Sequence, residues 1–197
     1  MTLIWCPPIE LNEEEQWLIR LCKKAKLYVF LRTHRNRLFT EAFQRELAAM
    51  YPERTAGRVP VPPAQLAMAT LLQAALGVSD EDAVELAVTE RRWQMLLGCL
   101  GERKAPFSQG TLFNFRQRLI AHKMDRRLLE RTVELARQTG DYSHKALKTA
   151  LKAEIDEAAW ASLYSEVSRP FQRPDTKRIA VKVINHLGDE VMKVFRV

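Results

Sequence analysis

The sequence predicts a mainly α protein, in which a multi-helical domain is followed by a short helix and a β-hairpin. Three observations support this fold class. Apolar residues recur at helical spacing through most of the chain as far as Gly140. Residues that favour helix ends, among them Asn12, Gly77 and Ser79, stand where these periodic segments begin or end. Only the stretch from Ile179 onward alternates with the two-residue period of a strand.

The composition is that of a globular protein of the cytoplasm. Of the 197 residues, 47% are hydrophobic and 28% are charged, which excludes a disordered tail. No apolar run approaches the ~20 residues of a membrane helix, so we expect no membrane partner. Cys6, Cys22 and Cys99 are too widely spaced for a metal or disulfide pattern, and they predict reduced thiols.

The first part of the chain predicts two helices, a connector and a central helix. Asn12 begins the first helix, and a second covers about 38–51. Four prolines between 52 and 63 prevent a continuous helix and predict an extended connector. The helix that follows, 64–76, is apolar on most faces and should lie at the centre of the core.

The next segment has the layout of a helix-turn-helix motif, but we interpret it as a structural hairpin. Gly77 ends the central helix and Ser79 begins another. The first turn of that second helix carries the three carboxylates at 80–82, which would repel the phosphates of DNA. We therefore expect 64–90 to form a helical hairpin, followed by a buried helix at 92–100.

The segment 108–121 is the better candidate for a helix that faces DNA. Ser108 can cap it, and an apolar stripe of Leu112, Phe115 and Leu119 can seat it on the core. Amide side chains can pair with adenine edges, and arginine can pair with guanine or phosphate. The candidate DNA contacts are Ser108, Gln109, Thr111, Asn114, Arg116, Arg118, Arg126 and Arg127. The structural alternative is that Ser108 only caps the helix while the arginines are solvated.

Positive charge concentrates on the same part of the chain. The net charge is +7, and residues 108–150 contain 9 lysines and arginines against 4 acidic residues, a local excess of +5. A helix over 123–138 should expose four arginines, Arg126, Arg127, Arg131 and Arg137. A second basic cluster, Arg32, His34, Arg35 and Arg37, predicts either a surface that follows phosphates or an exposed basic turn.

The chain changes character after Lys145. Residues 146–164 are helix-like, and 179–184 and 191–195 flank a Gly-Asp turn typical of a β-hairpin. Asp156 is expected to be a solvated helix carboxylate rather than a catalytic ligand. Because His122, His144 and His186 have no partners at ligand spacing, we expect neither a metal nor a cofactor, and no catalytic residue.

Several blocks of the chain closely resemble the N-terminal domain of InsH-type bacterial insertion-sequence transposases. Over about residues 1–145 they follow that family's order and spacing: Phe30-Leu31-Arg32, Leu38 to Gln44, Val61-Pro62-Pro63-Ala64, Gly77-Val78-Ser79-Asp80, Arg92-Trp93 and Pro106 to Leu119. The resemblance implies a helical domain that engages double-stranded DNA at the terminal inverted repeats of the element. In that family a ribonuclease-H-like domain with three acidic metal ligands follows, whereas this chain has 153–160 instead. We therefore expect DNA binding without catalysis.

The segment 146–197 resembles the C-terminus of bacterial adenine-specific DNA methylases or of the restriction proteins associated with them. The blocks that carry this resemblance are Ala153 to Asp156, Ser168 to Phe171 and Arg178 to Val191, and no methylase catalytic motif accompanies them. The expected organisation is thus a transposase N-terminal domain at 1–145 with a fused methylase remnant at 146–197. Two alternatives stay open: a protein-interaction fragment that forms a homo-oligomer or joins an intact transposase, and a gene remnant without function.

Overall fold

A computed structural model of the chain describes residues 4–22, 25–52, 60–142, 147, 174, 177–184 and 190–196. Within these residues the chain forms eight α-helices and one antiparallel pair of strands, which confirms the mainly α fold class. It divides into two compact units, Met1–Glu154 and Ile155–Val197. The helices are α1 (Glu13–Leu21), α2 (Lys26–Leu38), α3 (Glu41–Ala48), α4 (Pro63–Leu76), α5 (Asp80–Thr89), α6 (Arg91–Leu97), α7 (Gln109–Ala121) and α8 (Met124–Thr139), and the strands are β1 (Arg178–Ile184) and β2 (Glu190–Arg196).

The first three helices differ in part from the prediction. Asn12 caps α1 as expected, because its side chain accepts a hydrogen bond from the N–H of Glu15 at 2.8 Å. The sequence did not predict α2, whose many basic residues obscure its apolar positions. The helix predicted over 38–51 is shorter, since Leu38 belongs to α2 and Thr40 caps α3.

The basic cluster on α2 lies mostly in the interior, so both predictions made for it are wrong for three of its four members. Arg32, His34 and Arg35 are buried, and Arg37 is exposed. Arg32 is 2% exposed, and its guanidinium donates to both carboxylate oxygens of Glu15 at 2.9 Å. A buried charge is tolerated when it is paired and its donors are satisfied, which is the case here.

The buried arginines hold the segment that precedes α1. The carbonyl of Pro8 accepts hydrogen bonds from Arg32 at 3.2 Å and from Arg35 at 2.9 Å. Arg35 also donates to the carbonyls of Met95 and Leu96 at the end of α6. Burial, together with the charge of Arg32, lowers the pKa of Arg35 to about 10, which leaves it charged at neutral pH. The two side chains thus join the N-terminal segment, α2 and α6.

The central helix of the first unit is α4, as predicted. Its residues from Pro63 to Ala69 are all buried, and α3, α5, α6 and α7 contact it. Gly77 ends the helix in the left-handed conformation at φ +69°. Ser79 and Asp82 then form a capping box that begins α5. The predicted hairpin over 64–90 is therefore present.

A close contact requires glycine at the end of α6. Gly98 has φ +67°, and a Cβ atom there would lie 2.9 Å from the Cβ of Pro7. The N-terminal segment therefore packs directly against this turn. Trp93 in α6 has no exposed surface, which confirms a buried helix in the segment predicted, 92–100, but the helix ends at Leu97 and leaves Leu100 outside it.

The described strands of the second unit form the predicted hairpin. They pair antiparallel, with Ile179 opposite Phe195 and Val183 opposite Val191. The turn expected at 186–189, the helix expected at 146–164 and Asp156 lie outside the described residues. Among the helices that the structure describes, none is long and apolar enough to cross a membrane.

Candidate nucleic-acid interface

Three apolar side chains seat α7 on the first unit. Leu112 and Phe115 have no exposed surface and Leu119 has 1%, which confirms the predicted apolar stripe. Their spacing of three and four residues places them on one side of the helix, where α4, α5 and α8 contact it. These core contacts therefore set how deeply α7 sits.

The opposite side of α7 begins with an open polar turn. The hydroxyl of Ser108 accepts a hydrogen bond from the N–H of Thr111 at 3.3 Å, so Ser108 is the predicted cap. Gln109 and Asn114 are exposed, and a Cβ atom at Gly110 would meet nothing within 4 Å. The polar turn, Ser108 to Thr111, and Asn114 in the turn that follows it therefore present two exposed amides and the exposed side chain of Ser108.

Arg118 lies on the ring of Tyr51. Its guanidinium carbon is 4.6 Å from the ring centroid, and its Nη1 donates to the carbonyl of Asn114 at 3.4 Å. Burial raises the pKa of Tyr51, so the ring stays an uncharged platform at neutral pH. The stacking holds Arg118 one turn beyond Asn114 on α7 while part of its surface remains accessible.

Arg116 has a different environment, because its guanidinium is bound within the protein. Both of its terminal nitrogens donate to the carboxylate of Asp80, the Nη2 to Oδ2 contact being 2.8 Å. Its Nη1 also donates to the side-chain oxygen of Gln73 at 3.2 Å. The predicted contact residue is thus brought together with α4 and the start of α5.

Hydrogen bonds within the protein account for acidic side chains in the first turn of α5. Burial opposes ionisation of Asp80, but hydrogen bonds from Arg116 and Gln73 outweigh it and lower the pKa of that carboxyl. Asp82 is used in the cap of its own helix, where it accepts from the N–H of Ser79 at 3.0 Å. Two of the three carboxylates therefore have structural partners.

Arg126 and Arg127 lie at the start of α8 and are exposed. Arg126 pairs with Glu130 at 2.7 Å on the same helix. Arg127 pairs with both carboxylate oxygens of Glu46 in α3, at 2.6 and 2.8 Å. Exposed ion pairs contribute only about 0–1 kcal/mol, so a phosphate can replace such a carboxylate at little cost.

Arg131, expected to be exposed, is half-buried. It donates to the carbonyls of Leu38 and Arg37 at the end of α2, at 2.6 and 3.1 Å. Burial lowers the pKa of Arg131, because the guanidinium loses part of its solvation where it caps the end of α2. Beside it lies a groove of about 390 Å³ with Arg37, Arg127, Glu130 and Glu134 in its walls.

Three further cations flank α7 and were not among the predicted contacts. Arg103 and Lys104 are exposed just before the helix, and Lys123 is exposed just after it. None of the three forms an ion pair with another residue that the structure describes. Their closeness in sequence to 108–121 was the available signal for including them.

The described ranges contain no group of three or more histidine, cysteine, aspartate or glutamate side chains placed to hold a metal ion. His122 is exposed at the end of α7. His144 and His186 lie outside the described residues, as does Asp156.

A capped helix with a polar first turn, seated on a helical core and followed by exposed arginines, is an arrangement that helical DNA-binding proteins use. Comparison with known families identifies the class. The family model described as Transposase domain (DUF772) matches residues 20–118, about half of the chain, and the chain belongs to this family. The matched region runs from the end of α1 to Arg118 and includes the polar turn of α7. Neither the curated proteins nor the solved structures compared with the chain gave a match.

Proposed function

We propose that this chain is a DNA-binding portion of a transposase that recognises terminal inverted repeats through α7. The observation that carries the proposal is the open polar turn of α7, which lies within the transposase-domain match on a helix seated by three buried side chains. Rigid seating favours sequence recognition, because base contacts need donors and acceptors held in a fixed geometry. The assignment to the InsH type and the methylase origin of 146–197 remain predictions.

The contact residues divide by the kind of contact that their chemistry allows. Gln109 and Asn114 are the candidates for base edges in the major groove, with Ser108 and Thr111 beside them. Arg118, Arg126 and Arg127 are the candidates for phosphates, and such contacts set affinity without reading sequence. Arg116 belongs to neither group, since its guanidinium is already bound to Asp80.

We also propose that this polypeptide binds DNA without cutting it. The sequence after Lys145 lacks the strand context in which related transposases carry their first catalytic aspartate. Incubation of a supercoiled plasmid with the purified chain and Mg²⁺ or Mn²⁺ should leave the plasmid intact. Nicking that depends on the metal ion would overturn this part of the proposal. A cytoplasmic location fits free thiols at Cys6, Cys22 and Cys99 and a DNA target.

The DNA-binding proposal is tested by selection from a pool of random duplexes. The wild-type protein should enrich one sequence, which is then compared with the inverted repeats of insertion sequences encoding this family. Its affinity should fall with salt, with a slope of about −2.7 in log K against log salt if three arginines neutralise one phosphate each. Absence of enrichment together with absence of binding at 50 mM salt would overturn the proposal.

Single substitutions separate the two kinds of contact. Asn114→Ala should lower affinity for the selected duplex about tenfold or more while leaving the salt slope unchanged. Arg127→Ala should weaken binding to every duplex and reduce the slope by about 1. Gln16→Ala removes an exposed amide from α1, where its Nε2 donates to the carbonyl of Leu11, and serves as the matched control that should change neither quantity.

A second candidate function is protein association, either between copies of this chain or with an intact transposase. The observation that favours it is an apolar face on α1, where Trp17 is 48% and Leu21 is 61% exposed one turn apart. Sedimentation of the wild type and of Leu21→Glu would test it. A monomer at all concentrations for both proteins, and no co-purification with the intact transposase, would exclude this function.

A further inference from the structure

Asp80, Gln73 and Arg116 form a connected cluster at the junction of three helices. Arg116 extends from α7, Gln73 from the last turn of α4, and Asp80 is the first residue of α5. The Nε2 of Gln73 donates to Asp80 Oδ1 at 2.8 Å, and its Oε1 accepts from Arg116 at 3.2 Å. Each side chain of the cluster therefore contacts both of the others.

The cluster has properties that can hold α7 in one orientation. The side chain of Asp80 is 12% exposed and that of Arg116 is 32% exposed, so water competes only weakly for the contacts. A guanidinium bound by two nitrogens to one carboxylate fixes orientation as well as distance. Leu112, Phe115 and Leu119 fix how deeply α7 sits, but apolar packing tolerates small rotations that a paired hydrogen bond does not.

We infer that Arg116 is a positioning residue, which with Asp80 and Gln73 sets the orientation of α7 relative to the α4–α5 hairpin, and that it does not itself contact DNA. This inference rests on the proposed function, since it assigns a role within the same interface. It also gives Asp80, an acid, a positive role in recognition of a polyanion.

The two possible roles of Arg116 predict different effects of the Asp80→Asn substitution on DNA binding. If Arg116 binds a phosphate, Asp80→Asn releases the guanidinium, removes a negative charge and strengthens binding. If Arg116 positions α7 through Asp80, the same substitution weakens discrimination between the selected duplex and others. The quantity to measure is therefore the ratio of affinities for the selected duplex and for a shuffled duplex of the same composition.

The experiment uses the full chain with Asp80→Asn, Arg116→Lys and the double variant. Arg116→Lys retains the charge but loses the two-nitrogen fork, so a pure phosphate contact would largely survive it. We expect each single variant to lower the affinity ratio about tenfold and the double variant to lower it by about the same factor, since contacting residues are not additive. Glu81→Gln removes a neighbouring exposed acid of the same turn and is the matched control, expected to leave the ratio unchanged.

Circular dichroism and thermal unfolding establish that each variant is folded, and hydrogen exchange supplies a second readout. Amides in α7 should exchange faster in Asp80→Asn than in Glu81→Gln. A ratio that is unchanged or higher in Asp80→Asn, or unchanged in Arg116→Lys, would overturn the inference while leaving the proposed function standing. A wild-type protein that prefers no duplex would remove the proposed function, and this inference with it.

Discussion

Replacement of Glu15 by glutamine would remove one charge from the interior and leave its partner in place. Arg32 is 2% exposed and would keep only the carbonyls of Pro8, Ile9 and Glu10, at 3.1 to 3.2 Å, beside a neutral amide. Glutamine is close in size to glutamate, so the change tests charge rather than packing.

The expected cost follows from the burial of the pair. Two unit charges about 4 Å apart attract each other by about 4 kcal/mol at an effective dielectric constant of 20. Removal of one partner from a buried pair costs about 3–5 kcal/mol. Because three carbonyls still accept from Arg32, we expect the lower end of this range, about 3 kcal/mol. Domains are stable by only about 5–15 kcal/mol, so this is a large share of the total.

Urea unfolding followed by far-ultraviolet circular dichroism at pH 7 measures the loss. The midpoint should fall while the slope of free energy against urea stays constant. Glu13→Gln is the control, because Glu13 is exposed in the same turn of α1 and should cost at most about 1 kcal/mol through the helix dipole. Equal losses in the two variants, or a loss below about 1 kcal/mol for Glu15→Gln, would refute the reasoning.

The effect should also depend on pH. Burial of Glu15 opposes ionisation, but bonds from Arg32 and the N–H of Asn12 outweigh it and hold its pKa below the ordinary value of 4.5. A carboxyl with a lower pKa in the folded state stabilises the fold above about pH 5, and this contribution is lost as the pH falls through the folded pKa. The wild type should therefore lose stability on acidification faster than Glu15→Gln, and the gap between them should narrow.

Three other perturbations test separate parts of the structure. Gly98→Ala should lower the thermal midpoint more than Gly101→Ala. Both residues have positive φ, but only a Cβ atom at position 98 would meet the N-terminal segment. Equal shifts of the midpoint in the two variants would contradict that close contact. Phe115→Ala should reduce the free energy of unfolding by about 3–5 kcal/mol, as judged by urea titration, and an unchanged midpoint would contradict the seating of α7. Cys6 is exposed, whereas burial raises the pKa of Cys99 to about 11. A thiol reagent at pH 8 should therefore label Cys6 before Cys99. Equal labelling rates would show that the Cys99 thiol is accessible.

Helices whose ends carry local signals could be predicted from the sequence. Ser79 and Ser108 begin α5 and α7 as expected, and the three- and four-residue spacing of Leu112, Phe115 and Leu119 gave the buried side of α7. Caps and apolar spacing act within one or two turns, so they are visible in a short stretch of sequence. The DNA contacts themselves stay predictions.

Partners that lie far apart in sequence could not be predicted. Arg32 binds Glu15 across 17 positions, Arg35 binds the carbonyl of Met95 across 60, and Arg116 binds Asp80 across 36. A buried arginine and a solvated one look alike in a charge pattern, because the carbonyls that satisfy the buried one belong to other elements. For the same reason the sequence did not predict α2, because the buried basic residues of this helix have the pattern of an exposed basic cluster.

The acceptors that Pro8, Ile9 and Glu10 offer to Arg32 are main-chain oxygens, which every amino acid carries. Proline adds the advantage that it has no N–H group in need of its own acceptor. Substitution of the side chains at these positions therefore leaves the main-chain acceptors of the guanidinium groups in place, whereas trimming the stretch removes acceptors from Arg32 and Arg35 at once. Shortened expression versions of this chain should accordingly begin ahead of Trp5 and keep positions 5–10 whole.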